Sequence, residues 1–317
     1  MKYCLKQITG VNLNADKKFF SKIGFNYLTM GLTAILVQIL IINVIYFMNI
    51  DLINDINFLS VLSSFCNYIL PLPIFIYMMR KLDTQKIKKE RLGIKKFIIY
   101  ISISFTLILF GNLIGVLITS LISLFTSNTI VNPVENLVNS TDILLNVVLI
   151  SLIGPIFEEL FFRKLLIDRT IKYGAKASII TSAILFAFFH GNLSQFFYTF
   201  LLGGFLAYVY IKTGRIIYPI IIHMVLNLMG SVVSLLSDGS LTAIMNGAFT
   251  ITDVITVLIY TILILTLLLI GTFNLLHYKK DELLKEKMQI QLKTIFLNYG
   301  MVCFILFFTF LIINQTV

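Results

Sequence analysis

Few residues of this chain could do chemistry, and four of them lie inside apolar runs: Glu158, Glu159, His190 and His223. A charged side chain at the centre of a bilayer costs about 3 kcal/mol or more, so ionisable groups within membrane segments are candidates for function. A carboxylate in such a place can act as a general base, and imidazole groups can exchange protons beside it. The four residues therefore predict acid–base chemistry at a buried site.

The two adjacent glutamates are expected to have different partners. Neighbouring residues point about 100° apart on a helix, so Glu158 and Glu159 cannot share a face. Glu159 and Arg163 are four residues apart in the favourable order for an ion pair, and Arg163 at the predicted inner boundary could snorkel to the headgroups. Glu158 has no partner on its own helix, which favours it as the general base.

Two further stretches carry imidazole and amide groups. His190 ends a short apolar run, and the following Gly191 is typical of a helix stop. His223 and Asn227 are four residues apart and should project from one helix face, where their N–H groups could hold an oxyanion. The two histidines and Glu158 could instead be ligands of zinc or another divalent metal.

These three pieces, in this order and each on its own apolar segment, resemble the CPBP family. That family contains the CAAX prenyl-protein endopeptidases and the bacteriocin-processing intramembrane proteases, and is also called Abi. The shared patterns are Glu-Glu-x-x-x-Arg, Phe-x-x-x-His and His-x-x-x-Asn, and the positions that match are Glu158, Glu159, Arg163, Phe186, His190, His223 and Asn227. The resemblance covers about residues 143–240 and implies an intramembrane endopeptidase that cleaves a membrane-associated peptide or protein.

The resemblance also implies roles for the matched residues. Glu158, helped by His190, would activate a water molecule, and His223 with Asn227 would stabilise the oxyanion. Glu159 with Arg163 would hold the helix and tune the site, with Phe186 supporting it. Both a metalloprotease and a metal-free glutamate scheme are compatible with the family, and the H-E-x-x-H pattern of common zinc proteases is absent.

Two other functions stay open from the residues alone. A non-proteolytic member of the family could scaffold or regulate membrane partners. A proton-coupled transporter could use Glu158 and the histidines as a relay, but the paired repeats or matching interrupted helices typical of transporters are not visible in the sequence.

The composition indicates a membrane protein with several spans. The chain has 317 residues, of which 58% are hydrophobic and 13% charged, whereas about a quarter of the residues of a soluble domain are charged. The first apolar run is too long for the core of a signal peptide. We expect an all-α bundle of nine membrane segments, or of eight if 177–211 contains a partial helix. The nine segments are 24–49, 58–79, 97–126, 143–162, 177–190, 195–211, 216–237, 250–276 and 294–314.

Basic residues predict the orientation. All 25 Lys and Arg fall in alternate connecting stretches, which places the N-terminus inside and the C-terminus outside. These inside stretches are 1–22, 80–96, 163–176, 212–215 and 277–293. The net charge of +10 is then explained by an anionic inner leaflet rather than by nucleic acid, and the richness in Ile, Lys and Asn favours a bacterial plasma membrane.

The expected organisation has three parts: N-terminal segments over 1–142, a catalytic core over 143–240 and C-terminal segments over 241–317. If the fourth segment ends at residue 162, Glu158 lies about 7 Å from the inner boundary, whereas His190 lies about 20 Å from it. Because residue counting places two of the three motifs in the cytoplasmic half of the membrane, we expect a cavity that opens towards the cytoplasm. The sequence does not identify the substrate or the oligomeric state.

Overall fold

The computed structural model describes residues 13–48, 51–126, 130, 132–277, 282–286 and 288–315. Helices account for most of this part of the chain, and it contains no strand. The expected all-α fold class is therefore confirmed. Five of the basic residues that predict the orientation lie outside the described residues: Lys2, Lys6, Lys279, Lys280 and Lys287.

Ten helices of eight or more residues build the described part of the chain. They are α1 (Leu13–Phe47), α2 (Ile56–Arg80), α3 (Ile94–Thr126), α4 (Pro133–Ser140), α5 (Ile143–Tyr173), α6 (Ala175–Phe189), α7 (Leu193–Thr213), α8 (Ile217–Met245), α9 (Ile251–His277) and α10 (Tyr299–Asn314). Seven of them are long and apolar enough to cross a membrane, whereas α6 and α10 are shorter apolar helices. The nine predicted segments are all helical, while the number that cross and their orientation stay predictions.

Glycines allow the helices to approach closely where the bundle is tightest. A Cβ atom at Gly24 of α1 would collide with the backbone of Gly300 in α10. Likewise, a Cβ atom at Gly111 of α3 would collide with the backbone of Tyr198 in α7. Since apolar side chains gain little by leaving lipid, such close backbone packing is a main source of helix association in membranes. These contacts fix α1 against α10 and α3 against α7.

The outer surface is apolar, as a lipid-facing surface must be. Many large hydrophobic side chains are exposed along α1, α3 and α9, and only 6% of the apolar window of α9 is buried inside the protein. In water such a surface would be an aggregation hazard. Together with the helix lengths, it makes this a membrane protein with several spans.

The fourth segment is longer than expected. We predicted that it would end at residue 162 and that 163–176 would be a basic loop, but α5 continues to Tyr173. The prediction was wrong because the charges of this stretch are satisfied inside the protein. Nε of Arg169 donates to the carbonyl of Met79 at 2.7 Å, and the hydroxyl of Tyr210 donates to Oδ1 of Asp168 at 2.6 Å.

The longer helix resolves the mismatch in depth between Glu158 and His190. Helices α5 and α6 are joined by a tight turn, in which Gly174 has a positive φ. Glu158 lies about 22 Å along α5 before Tyr173, and the 15-residue α6 runs back over a similar distance. His190 follows the end of α6 at once, and the chain then turns through Gly191 at a φ of 66°. A helix that is too short to span thus ends beside Glu158.

An ordered strap joins α2 to α3 across the basic end of the bundle. Its backbone N–H groups donate to the carbonyl of Asp168 in α5, at 2.6 Å, and to the carbonyl of Thr213 at the end of α7, at 2.7 Å. The N–H of Leu92 donates to the hydroxyl of Tyr218 in α8 at 2.9 Å. The strap, residues 81–93, therefore ties together the basic ends of α5, α7 and α8.

Candidate functional site

The candidate site lies where α2, α5, α6 and α8 meet. On α5, the α-helical turn Gly154–Glu159 is flanked by π-helical stretches at Asn146–Ile153 and Leu160–Leu165. Such wider turns insert extra residues into a helix, change the direction of its side chains and are frequent at functional sites. The two glutamates stand at the end of the α-helical turn and point in different directions.

Glu159 points into the protein and is completely buried together with Arg163. Oε2 of Glu159 lies 2.9 Å from Nε of Arg163, an ion pair by distance whose alignment does not make a hydrogen bond. Nη1 of Arg163 donates to the hydroxyl of Ser182 at 3.2 Å, and its guanidinium lies 4.6 Å from the centre of the Phe186 ring. The prediction that Glu159 pairs with Arg163 is confirmed, but the prediction that Arg163 snorkels is wrong.

His223 lies between the two glutamates. Its Nδ1 is 3.0 Å from Oε1 of Glu159, and its Nε2 is 3.7 Å from Oε2 of Glu158. Since a carboxylate only accepts hydrogen bonds, Nδ1 is the donor to Glu159. The distance to Glu158 is too long for a direct hydrogen bond. His223 is only 3% exposed, so the protein fixes which ring nitrogen faces Glu158.

Glu158 has a partner that was not found from the sequence. The hydroxyl of Tyr68, on α2, donates to Oε1 of Glu158 at 2.8 Å. The Tyr68 ring stacks on that of Phe157 with a centroid distance of 5.6 Å. These contacts hold one carboxylate oxygen and leave Oε2 towards His223. Nothing distinguishes Tyr68 among the 14 tyrosines of the chain.

A signal for this face of α2 was nevertheless present in the sequence. The second apolar segment carries polar residues at spacings of three and four, which is the pattern of one helix face. They are Ser60, Ser63, Ser64, Asn67 and Tyr68, and all five line the same cavity as Glu158. A polar stripe on a membrane segment indicates a face that is turned away from lipid.

His190 lies at the end of α6 and faces the same cavity. Its Nδ1 is 2.7 Å from the backbone carbonyl of Phe186, which can only accept, so Nδ1 is the donor. Its ring lies edge-on to the Phe186 ring with a centroid distance of 4.6 Å. Nε2 is consequently the nitrogen that is left for chemistry.

Asn227 shares its helix face with His223, as predicted, and both line the cavity. Nδ2 of Asn227 donates to the carbonyl of Ile150 on α5 at 2.9 Å. An amide nitrogen carries two hydrogens, so this bond orients the amide and leaves a second N–H. Glu158, His190, His223 and Asn227 therefore line one cavity, while Glu159 and Arg163 lie behind it.

The cavity has a volume of about 770 Å³. Glu158, His190 and His223 line one part of it, and Glu135 of α4 and Asp238 of α8 line another. The side chains of Glu135 and Asp238 are exposed, and no Lys or Arg is among the described residues that line the cavity. The cavity therefore extends to the end of the bundle where Glu135 and Asp238 lie, which we call the acidic end.

The expectation of a cavity that opens towards the basic end of the bundle is thus wrong, while the assignment of that end to the cytoplasm stays a prediction. The expectation depended on placing Glu158 close to the end of the fourth segment, whereas α5 continues for several turns beyond it. The strap also occupies the basic end, where Ile87 packs against a buried cluster that includes Tyr210 and Ile211. The cavity connects the site to the acidic end instead.

The expected metal ligands do not approach one another as a metal site requires. In the described part of the chain, no three His, Cys, Asp or Glu side chains are close enough to hold a metal ion. His190 and His223 each use Nδ1 for another bond, so Nε2 is the free nitrogen of both. Zinc or another divalent metal held by Glu158, His190 and His223 stays a prediction.

Comparison with known proteins points to a family for the part of the chain that holds the site. Residues 140–229 match the family model of the type II CAAX prenyl endopeptidase Rce1-like domain. The matched range contains Glu158, His190, His223 and Asn227 but not Tyr68. No curated protein and no solved structure matches the chain significantly. The resemblance to the CPBP family is therefore confirmed: over residues 140–229 this membrane protein carries a type II CAAX prenyl endopeptidase Rce1-like domain.

Proposed function

We propose that this protein is an intramembrane endopeptidase in which Glu158 activates a water molecule to cleave a membrane-associated peptide or protein. The observation that supports this most directly is the arrangement around Glu158. Tyr68 holds Oε1 at 2.8 Å, and Oε2 lies 3.7 Å from a histidine nitrogen at the side of a cavity. A general base needs this combination of a fixed carboxylate and access to water.

The first step is attack of water on the scissile carbonyl. Oε2 of Glu158 takes a proton from the water as its oxygen bonds to the carbonyl carbon. Nε2 of His190 accepts a hydrogen bond from the same water and orients it. The proton held by Glu158 then passes to the leaving nitrogen as the C–N bond breaks, which restores the carboxylate and releases a carboxylic acid and an amine.

Negative charge on the carbonyl oxygen is stabilised by N–H groups from α8. The second Nδ2–H of Asn227 is one donor. His223 supplies the other from Nε2 when its ring carries both protons, since both nitrogens of a charged imidazole donate. Donors that are fixed before the reaction lose no energy by reorganising, and each is worth about 3–4 kcal/mol of barrier in comparable sites.

Glu159 and Arg163 act behind these groups. Oε1 of Glu159 accepts from Nδ1 of His223 at 3.0 Å and so fixes the ring orientation. Arg163 is buried under Phe186 and balances the charge of Glu159. In this proposal Glu159 is a positioning residue and does not touch the substrate.

Substitution of Glu158 tests the proposal. The Glu158→Gln chain should insert and fold normally but lose cleavage, because an amide cannot accept the proton of water. The readout is a comparison of new peptide termini in membranes of cells that carry the parent, the Glu158→Gln chain or no chain. The matched control is Glu90→Gln, which changes an exposed glutamate that pairs with Lys88 and does not line the cavity; the termini should still appear in its membranes.

Two outcomes would overturn the proposal. If the same new termini appear with the Glu158→Gln chain, Glu158 is not the general base. If the termini in cells with the parent chain never differ from those in cells without it, the protein is better explained as a scaffold or regulator. Metal content of the purified chain, measured together with cleavage after chelation, separates the glutamate scheme from a metal-dependent one. Cleavage that survives chelation supports the glutamate scheme, and cleavage that is lost with the metal supports the metal-dependent one.

A further inference from the structure

We infer that the cavity above Glu158 is a binding site for a hydrophilic, positively charged segment of polypeptide, which enters from the acidic end of the bundle. This rests on the proposed function and names its class of substrate. The volume of about 770 Å³ falls within the range of roughly 300–1,000 Å³ that is typical of ligand sites.

The lining of the cavity is mixed, with many aliphatic side chains and two polar stripes. One stripe lies on α2 and runs from Ser60 to Tyr68, and the other lies on α7 with Gln195, Tyr198 and Thr199. Hydroxyl and amide groups at membrane depth cost energy unless they meet hydrogen-bond partners. An isoprenoid or acyl chain offers none, whereas a peptide offers an N–H and a carbonyl at each residue.

Charge favours a cationic segment. Among the described residues, the lining contains the carboxylates of Glu135, Asp238 and Glu158 and no Lys or Arg. Cavities lined by charge of one sign concentrate ligands of the opposite sign. Glu135 and Asp238 are exposed at the end away from the cluster, so a Lys or Arg of the substrate would lie near them while the scissile bond lies near Glu158.

The test measures access to the cavity without requiring cleavage. In a chain with Cys4→Ala and Cys303→Ala, in which the buried Cys66 is kept, Ser64→Cys places a thiol on the α2 wall. The thiol is modified with a trimethylammonium or a sulfonate methanethiosulfonate, two reagents of equal chemistry and opposite charge. Asn112→Cys, which also lines the cavity, repeats the measurement should Ser64→Cys fold poorly.

Each rate is divided by the rate of the same reagent with free cysteine, because a thiolate by itself prefers the cation. On this scale we expect the cationic reagent to react about tenfold faster than the anionic one, because the carboxylates of Glu135 and Asp238 attract it. The pair Glu135→Gln and Asp238→Asn should bring the ratio close to one. Asp51→Asn, an exposed acidic residue that does not line the cavity, should leave it unchanged. Equal rates in the parent, or a ratio that the pair does not alter, would overturn the role of charge.

Protection experiments identify the class of occupant. The peptide Gly-Ser-Lys-Gly-Ser-Lys should slow modification at least threefold, while its Lys-to-Glu analogue and farnesyl cysteine methyl ester should not. Protection by the farnesyl compound, or none by the lysine peptide, would overturn the inference. The same protection is measured on the Glu158→Gln chain, where it reports binding without cleavage. Protection by the lysine peptide supports the binding site whether or not Glu158 proves to be catalytic, so the two proposals can fail independently.

Discussion

Nδ1 of His223 lies 3.0 Å from Oε1 of Glu159, so the glutamate that faces away from the cavity holds the histidine that faces into it. Glu159 also lies 2.9 Å from Arg163. The three residues link α5 to α8 across the bundle interior. This contact joins two of the three sequence motifs and gives Glu159 a second partner beyond the expected ion pair.

Glu159→Gln should destabilise the protein strongly. The change leaves the buried charge of Arg163 without its counterion, which typically costs about 3–5 kcal/mol. Thermal unfolding of the purified chain in detergent measures this loss. Glu90→Gln is the matched control, because Glu90 is exposed and pairs with Lys88 at the surface; it should leave the unfolding temperature unchanged. Equal unfolding temperatures for the two variants would contradict a structural role for Glu159.

Tyr68→Phe should lower kcat while leaving the fold intact. The variant keeps the ring that stacks on Phe157 and removes the hydroxyl that donates to Glu158. A hydrogen bond to a charged group is worth about 1.5–3 kcal/mol, which corresponds to roughly a 10- to 100-fold change in rate. The control is Tyr77→Phe, at an exposed tyrosine on the same helix.

Steady-state cleavage of a substrate identified by the terminus comparison gives the measurement. A merely structural role would lower the yield of folded protein and leave kcat per folded molecule unaltered. That result would exclude Tyr68 as a positioning residue.

Asn227→Ala should reduce kcat by about 100- to 1,000-fold, as expected when one oxyanion donor is removed. KM should change little, since the interaction strengthens only as charge develops on the carbonyl oxygen. Asn274→Ala is the matched control. Nδ2 of Asn274 also donates to a backbone carbonyl, that of Ile270 at 2.8 Å, but this hydrogen bond is exposed on α9. A KM effect without a kcat effect would assign Asn227 to substrate binding instead.

Gly191→Ala should strain the turn that places His190. Gly191 has a φ of 66°, and no atom lies within 4 Å of the point that a Cβ would occupy, so the cost comes from the backbone alone. Left-handed backbone costs a residue with a side chain about 1–2 kcal/mol. Cleavage should fall as the histidine moves, and chemical denaturation should report the loss of stability.

Gly239→Ala provides the comparison for this change. Gly239 lies within α8, has no atom near the point that a Cβ would occupy and has no positive φ, so alanine there should be neutral or stabilise the helix by up to about 1 kcal/mol. If both substitutions behave alike, the turn at Gly191 does not hold His190 in place.

Much of the architecture followed from simple patterns. Nine apolar runs became nine apolar helices, because every backbone group in lipid must find its partner within its own helix. The i,i+4 spacing of Glu159 with Arg163 and of His223 with Asn227 placed each pair on one face, since helix geometry is the same in every sequence. The stop after His190 was likewise readable from Gly191 and Asn192, which caps α7.

The errors came from charges that the protein buries. Arg163, Asp168 and Arg169 predict a loop because charged residues usually mark the membrane surface. In the structure Arg163 is fully enclosed, and Arg169 donates to carbonyls of Met79 and Leu165. A single sequence does not reveal that distant helices supply these partners, so the helix boundary, the depth of Glu158 and the direction of the cavity were all displaced together.

The sequence by itself determined the helical membrane class, the order of the motifs and which side chains share a helix face, because these depend on local geometry and on transfer from water to lipid. Only the tertiary structure decided which helices meet: it brought Tyr68 from α2 to Glu158, placed His223 between the two glutamates and connected the site to the acidic end. Such contacts depend on packing between segments far apart in the chain, for which residue spacing along one helix contains no information.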